Sequence, residues 1–177
     1  DEESLAVIRR NVELEARLID DLLDITRIAR GKIELEKRPV RLGEVLRHSV
    51  EVCRPDLDGR RLEFQAEFGP ADSCWVEADS ARLQQVFWNL LKNAVKFTPK
   101  GGCVGLRCFL EGPRICVEVV DSGEGIDPGS LERIFDAFVQ ADRPAGPQFG
   151  GLGLGLAISK ALVELHGGSI TACSEGK

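Results

Sequence analysis

The sequence predicts an α+β fold: a two-layer sandwich of a mixed β-sheet and helices, preceded by one long helix. Three observations carry this prediction. Residues 3–30 place apolar side chains at helical spacing, several later short segments alternate between apolar and polar, and the helical segments between them do not follow a strict β–α–β order. A chain of 177 residues is long enough to bury one core and to carry an appendage.

The long helix is expected to end near Arg30, because Gly31 can adopt the left-handed conformation that closes a helix. Its apolar stripe is too broad for an isolated helix, so it requires a second helix, another subunit or its own globular domain as a partner. Glu111-Gly-Pro predicts a hairpin turn, and 169–177 is expected to start another hairpin. The other predicted elements are a strand or linker over 32–38, a helix over 42–53, strands over 61–68, 75–78, 103–110 and 114–120, and helices that start near 80 and near 155.

Composition narrows the classes of partner and location. The formal net charge of −6 gives no reason to expect nucleic acid or an anionic membrane as a partner, and no apolar run reaches the roughly 18 residues of a membrane span. The six cysteines lack C-x-x-C spacing and are interpreted as small buried hydrophobes in a reducing compartment. A cytoplasmic location is predicted, whether or not the parent protein is anchored in a membrane. Because methionine is absent even at position 1, we interpret the chain as a fragment of a longer polypeptide.

The segment from Asn89 to Thr98 combines a polar and an apolar face. On a helix, Asn89, Asn93 and Lys96 lie within about 60° of one another. Carboxamide oxygens suit a hard cation such as Mg²⁺, and a lysine ammonium suits phosphate. A solvated helix face is the simpler interpretation of such a pattern, and the two glycine motifs downstream favour the functional one.

Those motifs are Asp121-Ser-Gly123-Glu-Gly125-Ile126 and Gly151-Leu152-Gly153-Leu154-Gly155. The first follows a predicted strand, and its carboxylate can accept a hydrogen bond from an exocyclic amine; a plain tight turn is the alternative. The second opens a helix, whose free N–H groups and dipole attract an anion. A polar, Pro-containing run rather than a strand precedes it, which argues against a dinucleotide-binding fold.

Together these segments resemble the catalytic and ATP-binding domain of sensor histidine kinases, a branch of the GHKL superfamily with a Bergerat-type fold. Four motifs occur in that family's order: an N box at 89–98, a G1 box at 121–125, an F box at Phe135-Asp-Ala-Phe138 and a G2 box at 151–155. The resemblance implies that residues 1–31 form the second helix of a dimerisation hairpin. It implies that 32–177 form the catalytic domain, with the last strand truncated.

The resemblance also implies roles for individual residues. Asn93 would hold Mg²⁺ on the phosphates of ATP, Asn89 and Lys96 would line the phosphate end as the catalytic pair, and Asp121 would accept the adenine amino group. Gln140 and Arg143 would lie where side chains of the lid reach the γ-phosphate. Phe135 and Phe138 would pack the base of the lid, and a plain core role is the simpler alternative for both. The remaining candidates for nucleotide contact are Gly123, Gly125, Ile126, Phe138, Gly151, Leu152, Gly153, Leu154 and Gly155.

The implied reaction is transfer of the γ-phosphoryl group to a histidine, followed by relay to the receiver domain of a response regulator. The acceptor would lie outside this fragment, on the protein's own or a partner subunit's helix in a homodimer. His48 lacks the neighbours expected of an acceptor, and His166 is interpreted as structural, a partly positive ring at a helix C-terminus.

Two other functions remain open at this point. One is an ATPase switch of the chaperone, gyrase or mismatch-repair type. Such enzymes often carry a Glu where Asn89 stands, and an amide cannot accept a proton from water, so weak hydrolysis is expected. The other is a nucleotide-binding or dimerising module without kinase activity.

Overall fold

The structure is a computed structural model that describes residues 2–139 and 152–176. Long helix α1 ends where Gly31 has a φ of +61°, as predicted. The predicted helix at 42–53 continues to residue 59, through Pro55, because Leu57 is fully buried in the core. In chain order, the elements are α1 (Glu2–Ala29), β1 (Arg38–Arg41), α2 (Leu42–Gly59), β2 (Glu63–Glu67), a 3₁₀ turn (Gly69–Asp72), β3 (Trp75–Ala78), α3 (Ser80–Phe97), β4 (Cys103–Glu111), β5 (Arg114–Asp121), the short α4 (Pro128–Leu131) and α5 (Gly155–Leu165).

The strands form two small sheets. β1 and β3 pair antiparallel, and in the other sheet β4 lies between a parallel β2 and an antiparallel β5. This is the mixed sheet that the sequence predicted, including the β4–β5 hairpin. Residues 32–37 have no regular structure, so the predicted strand or linker is a linker. The hairpin predicted at 169–177 is wrong for 169–176, which form no strand because the segment has no paired neighbour.

The main core lies between the three-stranded sheet and the helices α2 and α3. Alternate residues of β4 face inward, since Val104, Leu106 and Cys108 are 1–5% exposed. From the helices, Leu46 and Leu91 are fully buried against them. Burial raises the pKa of the Cys53 thiol to about 11, so this cysteine is the inert core residue that the sequence predicted.

A second, smaller core forms where α5 packs between α3 and the end of α1. Its fully buried members come from α3, from α5 and from the residue that precedes α5: Val86, Leu154, Ile158 and Leu162. Ile25 and Ile28 of α1 and Ile33 and Leu35 of the linker pack against them. The last turns of α1 therefore use their own domain as a partner, which was one of the alternatives for its apolar stripe.

The earlier part of that stripe is exposed. Leu5, Ile8, Val12 and Ile19 are each 58–65% exposed. Surfaces of this kind mark contact sites for another protein chain. No helix in the described ranges is both long enough and apolar enough to cross a bilayer.

Candidate functional site

Asn89 lies at the centre of the polar face of α3, but it is not solvated. Its side chain is 7% exposed. The amide nitrogen Nδ2 donates to the backbone oxygen of Gly155 at 3.1 Å and to the hydroxyl of Ser159 at 3.3 Å. The predicted amide on α3 and the last glycine of the G2 box are thus in direct contact, because α5 packs on this face of α3.

Asn93 and Lys96 follow on the next turns of the same helix, where both side chains are partly exposed. No residue in the described ranges makes a hydrogen bond to the Asn93 amide. The Lys96 ammonium lies 4.8 Å from the centre of the Phe97 ring, which holds one charge at the end of α3. This end of the helix thus offers an uncommitted amide oxygen next to a cation.

The loop after β5 is seated on the end of α3. The Asp121 carboxylate is exposed, and it accepts a hydrogen bond from the backbone N–H of Gly123 at 2.8 Å. A side chain at Gly123 would have its Cβ 2.8 Å from the backbone oxygen of Phe97. Glycine is therefore required for the loop to approach α3, and that approach brings Asp121 to the helix end that carries Lys96.

The far side of this loop is covered by the C-terminal segment. Gly125 has a φ of +72°, and a Cβ there would lie 2.2 Å from the backbone oxygen of Gly176. The N–H of Ile126 donates to the hydroxyl of Ser174 at 2.9 Å. The resemblance implies that Gly125 and Ile126 face a nucleotide. In this structure they face residues 174–176 instead, because the unpaired C-terminal segment crosses the loop.

The described part of the G2 box is hydrogen-bonded to the F box, and both segments have a residue in the left-handed conformation. Gly153 has a φ of +71°, and its carbonyl accepts a hydrogen bond from the N–H of Phe138 at 3.2 Å. Phe138 itself has a φ of +65°, which is unusual for a bulky residue, and its ring is 62% exposed. It is not the core residue that the simpler interpretation expected. Such strained positions tend to occur at ligand clamps and switch regions.

The two leucines of the G2 box differ in their exposure to solvent. Leu152 is 39% exposed, whereas Leu154 is 1% exposed and belongs to the second core. The Leu154 side chain is thus used in the core, and the predicted contact of this residue with nucleotide stays a prediction for its backbone. Gly151, Gln140 and Arg143 lie outside the described residues.

Sequence reasoning missed a buried polar cluster between α1 and the first half of α3. Asp24 is 4% exposed, and its Oδ2 accepts hydrogen bonds from Arg82 at 2.7 Å and from Gln85 at 2.8 Å. Arg82 also donates to the Gln85 side chain at 2.8 Å. A polar residue on the apolar side of α1, one position before Ile25, was the available signal.

His166 links the ends of two helices. Its Nε2 lies 3.0 Å from the backbone N–H of Asp79, and its Nδ1 lies 2.7 Å from the oxygen of Leu162. Since an N–H group donates to Nε2, that nitrogen accepts and the ring is neutral, with the proton on Nδ1. His166 is structural as predicted, but the expected partial positive charge is wrong. The N-cap of α3 is Asp79, whose carboxylate accepts from the N–H groups of Ala81 and Arg82.

The fold and these motifs define a class of protein. The chain belongs to the family of histidine kinase-, DNA gyrase B- and HSP90-like ATPases, whose model matches residues 78–177. The matched range contains α3, both glycine motifs and α5. The predicted GHKL membership is thereby confirmed.

Within that family, the similar proteins are sensor histidine kinases. The chain is 37% identical over 169 residues to the circadian input-output histidine kinase CikA of Synechococcus elongatus, covering 95% of this chain and 22% of that protein. It is 33% identical over 175 residues to the autoinducer 2 sensor kinase/phosphatase LuxQ of Vibrio parahaemolyticus, covering 96% and 20%. The chain thus spans about a fifth of the length of these curated relatives.

Solved structures agree with this assignment. Full-length ShkA in complex with AMPPNP is 32% identical, with a TM-score of 0.73 over 92% of this chain and 33% of that chain. The Acinetobacter baumannii histidine kinase AdeS has a TM-score of 0.80 over 99% of this chain and 80% of that chain. At 21% identity it supports the fold alone. The predicted α+β fold with its long first helix is therefore confirmed.

Proposed function

We propose that this chain is the ATP-binding catalytic part of a sensor histidine kinase, which transfers the γ-phosphoryl group of ATP to a histidine outside the chain. The observation that carries the proposal is the convergence at the end of α3. The Asp121 loop, the uncommitted amide of Asn93 and the start of α5 at Gly155 all adjoin this helix.

The residues at this edge fit a magnesium-bound nucleotide. The amide oxygen of Asn93 is a ligand of the type that Mg²⁺ prefers, and no described residue competes for it. Lys96 supplies a positive charge for phosphate, and the exposed Asp121 carboxylate accepts the adenine amino group. The bound metal would neutralise charge on the phosphate oxygens. The left-handed backbone at Gly153 allows the glycine segment to approach phosphate closely.

The chain offers a poor acceptor of its own. Both ring nitrogens of His166 are engaged, so neither can attack phosphorus. His48 is exposed on α2, at 4.0 Å from the Glu51 carboxylate. The proposal places the acceptor imidazole on another segment or subunit: its nitrogen forms the bond to the γ-phosphorus, and the bond to the bridging oxygen breaks to release ADP.

The exposed half of α1 supports the proposed arrangement of domains and partners. Residues 1–31 would form the second helix of a dimerisation hairpin, and 32–177 the catalytic domain. The exposed stripe from Leu5 to Ile19 suits another helix of the same protein, in a homodimer. A response-regulator receiver domain would then accept the phosphoryl group. The cytoplasmic location stays a prediction.

One assay tests the reaction. The chain is mixed with γ-labelled ATP, Mg²⁺ and a separate dimerisation domain that carries a phosphoacceptor histidine. Label on the added histidine supports the proposal. Free phosphate without labelled histidine favours the ATPase alternative, and nucleotide binding without either product favours the inactive binding module; both results contradict the proposal.

A matched pair of substitutions tests the adenine contact. Asp121→Asn should weaken ATP binding by about 1–3 kcal/mol, because the amide nitrogen cannot accept the adenine amino group. The turn itself should survive, since the new amide oxygen can still accept from Gly123. Asp127→Asn is the control: that carboxylate accepts from Gly129 at 3.0 Å in the same way and is equally exposed. Equal affinities of both variants, measured by calorimetry, would remove the adenine role.

A further inference from the structure

Ser159 lies inside α5 and faces the amide of Asn89. It is fully buried. Its hydroxyl donates to the backbone oxygen of Gly155 at 2.8 Å, which is the usual bond of a helical serine to the residue four positions earlier. The hydroxyl proton is thus used within α5, and a lone pair of Oγ remains to accept from Asn89 Nδ2 at 3.3 Å.

These contacts fix which way the Asn89 amide points. A backbone carbonyl can only accept, so the amide group that faces Gly155 must be the nitrogen. The two Nδ2 hydrogens have two acceptors on α5, the oxygen of Gly155 and the hydroxyl of Ser159. The carbonyl oxygen Oδ1 takes no part in these two bonds, although it lies as near to the start of α5 as Nδ2 does, since a Cβ at Gly155 would be 3.6 Å from either atom.

The Oδ1 atom of Asn89 has no donor among the described residues. No described residue therefore competes for this oxygen, although the residue as a whole is only 7% exposed. An oriented acceptor remains open on the α3 face that also carries Asn93, one helical turn later.

We propose that Ser159 is a positioning residue for the phosphoryl-transfer site. With the carbonyl of Gly155, it holds the Asn89 amide so that its oxygen, not its nitrogen, faces the bound nucleotide. This inference rests on the proposed function. Without the serine hydroxyl, one Nδ2 hydrogen loses its acceptor, and the hydrogen bond to Gly155 alone holds the amide less firmly.

A set of buried-serine variants separates positioning from stability. Ser49 of α2 is the matched control, because it is 2% exposed and donates to the oxygen of Val45 at 2.8 Å, with no asparagine partner. We expect Ser159→Ala to lower the rate constant of transfer to an added histidine about tenfold, with a change of about threefold or less in nucleotide Kd. Ser49→Ala should change neither. The urea midpoints of both variants should shift alike.

Two further variants cover the case in which the alanine variant folds poorly. Ser159→Thr and Ser159→Val add the same volume, and only the first keeps a hydroxyl, so the threonine variant should transfer about five times faster than the valine variant. NMR of the Asn89 side-chain amide gives a readout without nucleotide. Its two Nδ2 protons should exchange faster with solvent in Ser159→Ala and Ser159→Val than in wild type or Ser159→Thr.

The results that would contradict the positioning role differ from those that would contradict the proposed function. If wild type transfers and all Ser159 variants transfer equally, or if Ser49→Ala is as slow as Ser159→Ala, the positioning role is wrong and the proposed function stands. If the Nδ2 protons of Asn89 exchange at the wild-type rate in Ser159→Ala, the positioning role is also contradicted. If wild type neither binds nucleotide nor transfers phosphate, the proposed function fails, and the positioning role fails with it.

Discussion

Two carboxamides of α3, Gln85 in its first half and Asn93 in its second half, are in opposite states of hydrogen bonding. In the first half, the amide of Gln85 and the cation of Arg82 share one partner, the buried Asp24 of α1. In the second half, the amide of Asn93 has no partner among the described residues, and it lies near Lys96 at the end of the helix. A polar cluster whose bonds are satisfied internally fixes α1 to the domain, whereas an amide without a described partner at an open edge is available to a ligand.

The largest effect is expected when the cluster of Asp24, Arg82 and Gln85 is broken. Asp24→Ala removes the shared acceptor and leaves Arg82 and Gln85 without it. Removal of one partner from a fully buried pair costs about 3–5 kcal/mol, and because Arg82 is 25% exposed we expect about 2–3 kcal/mol in the opening of α1. Hydrogen exchange of the amides of 21–29 measures this free energy. Asp20 is an exposed acid on the same helix, and Asp20→Ala is the control. Equal protection of these amides in both variants would show that the buried cluster does not hold α1 on the domain.

The second expected effect is on binding. Asn93→Ala should leave the free energy of unfolding within about 0.5 kcal/mol, because no described contact is lost. Affinity for the magnesium nucleotide should fall at least tenfold, or about 1.4 kcal/mol. The control is Gln84→Ala, which removes another partly exposed carboxamide of α3. A large loss of stability in Asn93→Ala would show that the second half of α3 is structural after all.

A smaller effect is expected at Arg17. Its guanidinium lies 4.8 Å from the centre of the Trp88 ring, so α1 also contacts the middle of α3. Arg17→Ala should reduce the free energy of α1 opening by about 0.5–1 kcal/mol, the range for a cation over an exposed aromatic face. A double-mutant cycle with Trp88→Leu isolates the pair. A coupling energy of zero would assign the docking of α1 to Asp24 and the apolar contacts alone.

The smallest effect is a gain in stability at Asp21. Burial, and then the neighbouring Asp24 and Asp20, raise the pKa of its carboxyl in the folded state above the usual 3.8. The charged form therefore costs stability at pH values above the folded pKa, and this cost disappears as the pH falls to the unfolded value. Asp21→Asn should stabilise α1 docking at pH 7 and have no effect below pH 3.8. A stabilisation that persists at low pH would show another cause.

Local patterns predicted most elements. The alternation in 103–110 and 114–120 and the turn at Glu111 predicted the β4–β5 hairpin. Prediction failed where the outcome depends on distant residues. Nothing in 42–53 shows that Leu57 is needed in the core, and nothing in 169–177 shows whether a neighbouring strand is present.

The candidate site was also predicted from the sequence only in part. The spacing of Asn89, Asn93 and Lys96 and the two glycine motifs pointed to one ligand and one family, because helical periodicity and the need for glycine at close approaches are local properties. Only the folded chain decided that Leu154 is core, that Ser159 holds Asn89 and that Asp24 is buried between Arg82 and Gln85. Those roles depend on which surfaces meet when α1, α3 and α5 pack together. The bonded partners Asp24 and Arg82 are 58 positions apart in the sequence, and Asn89 and Ser159 are 70 positions apart.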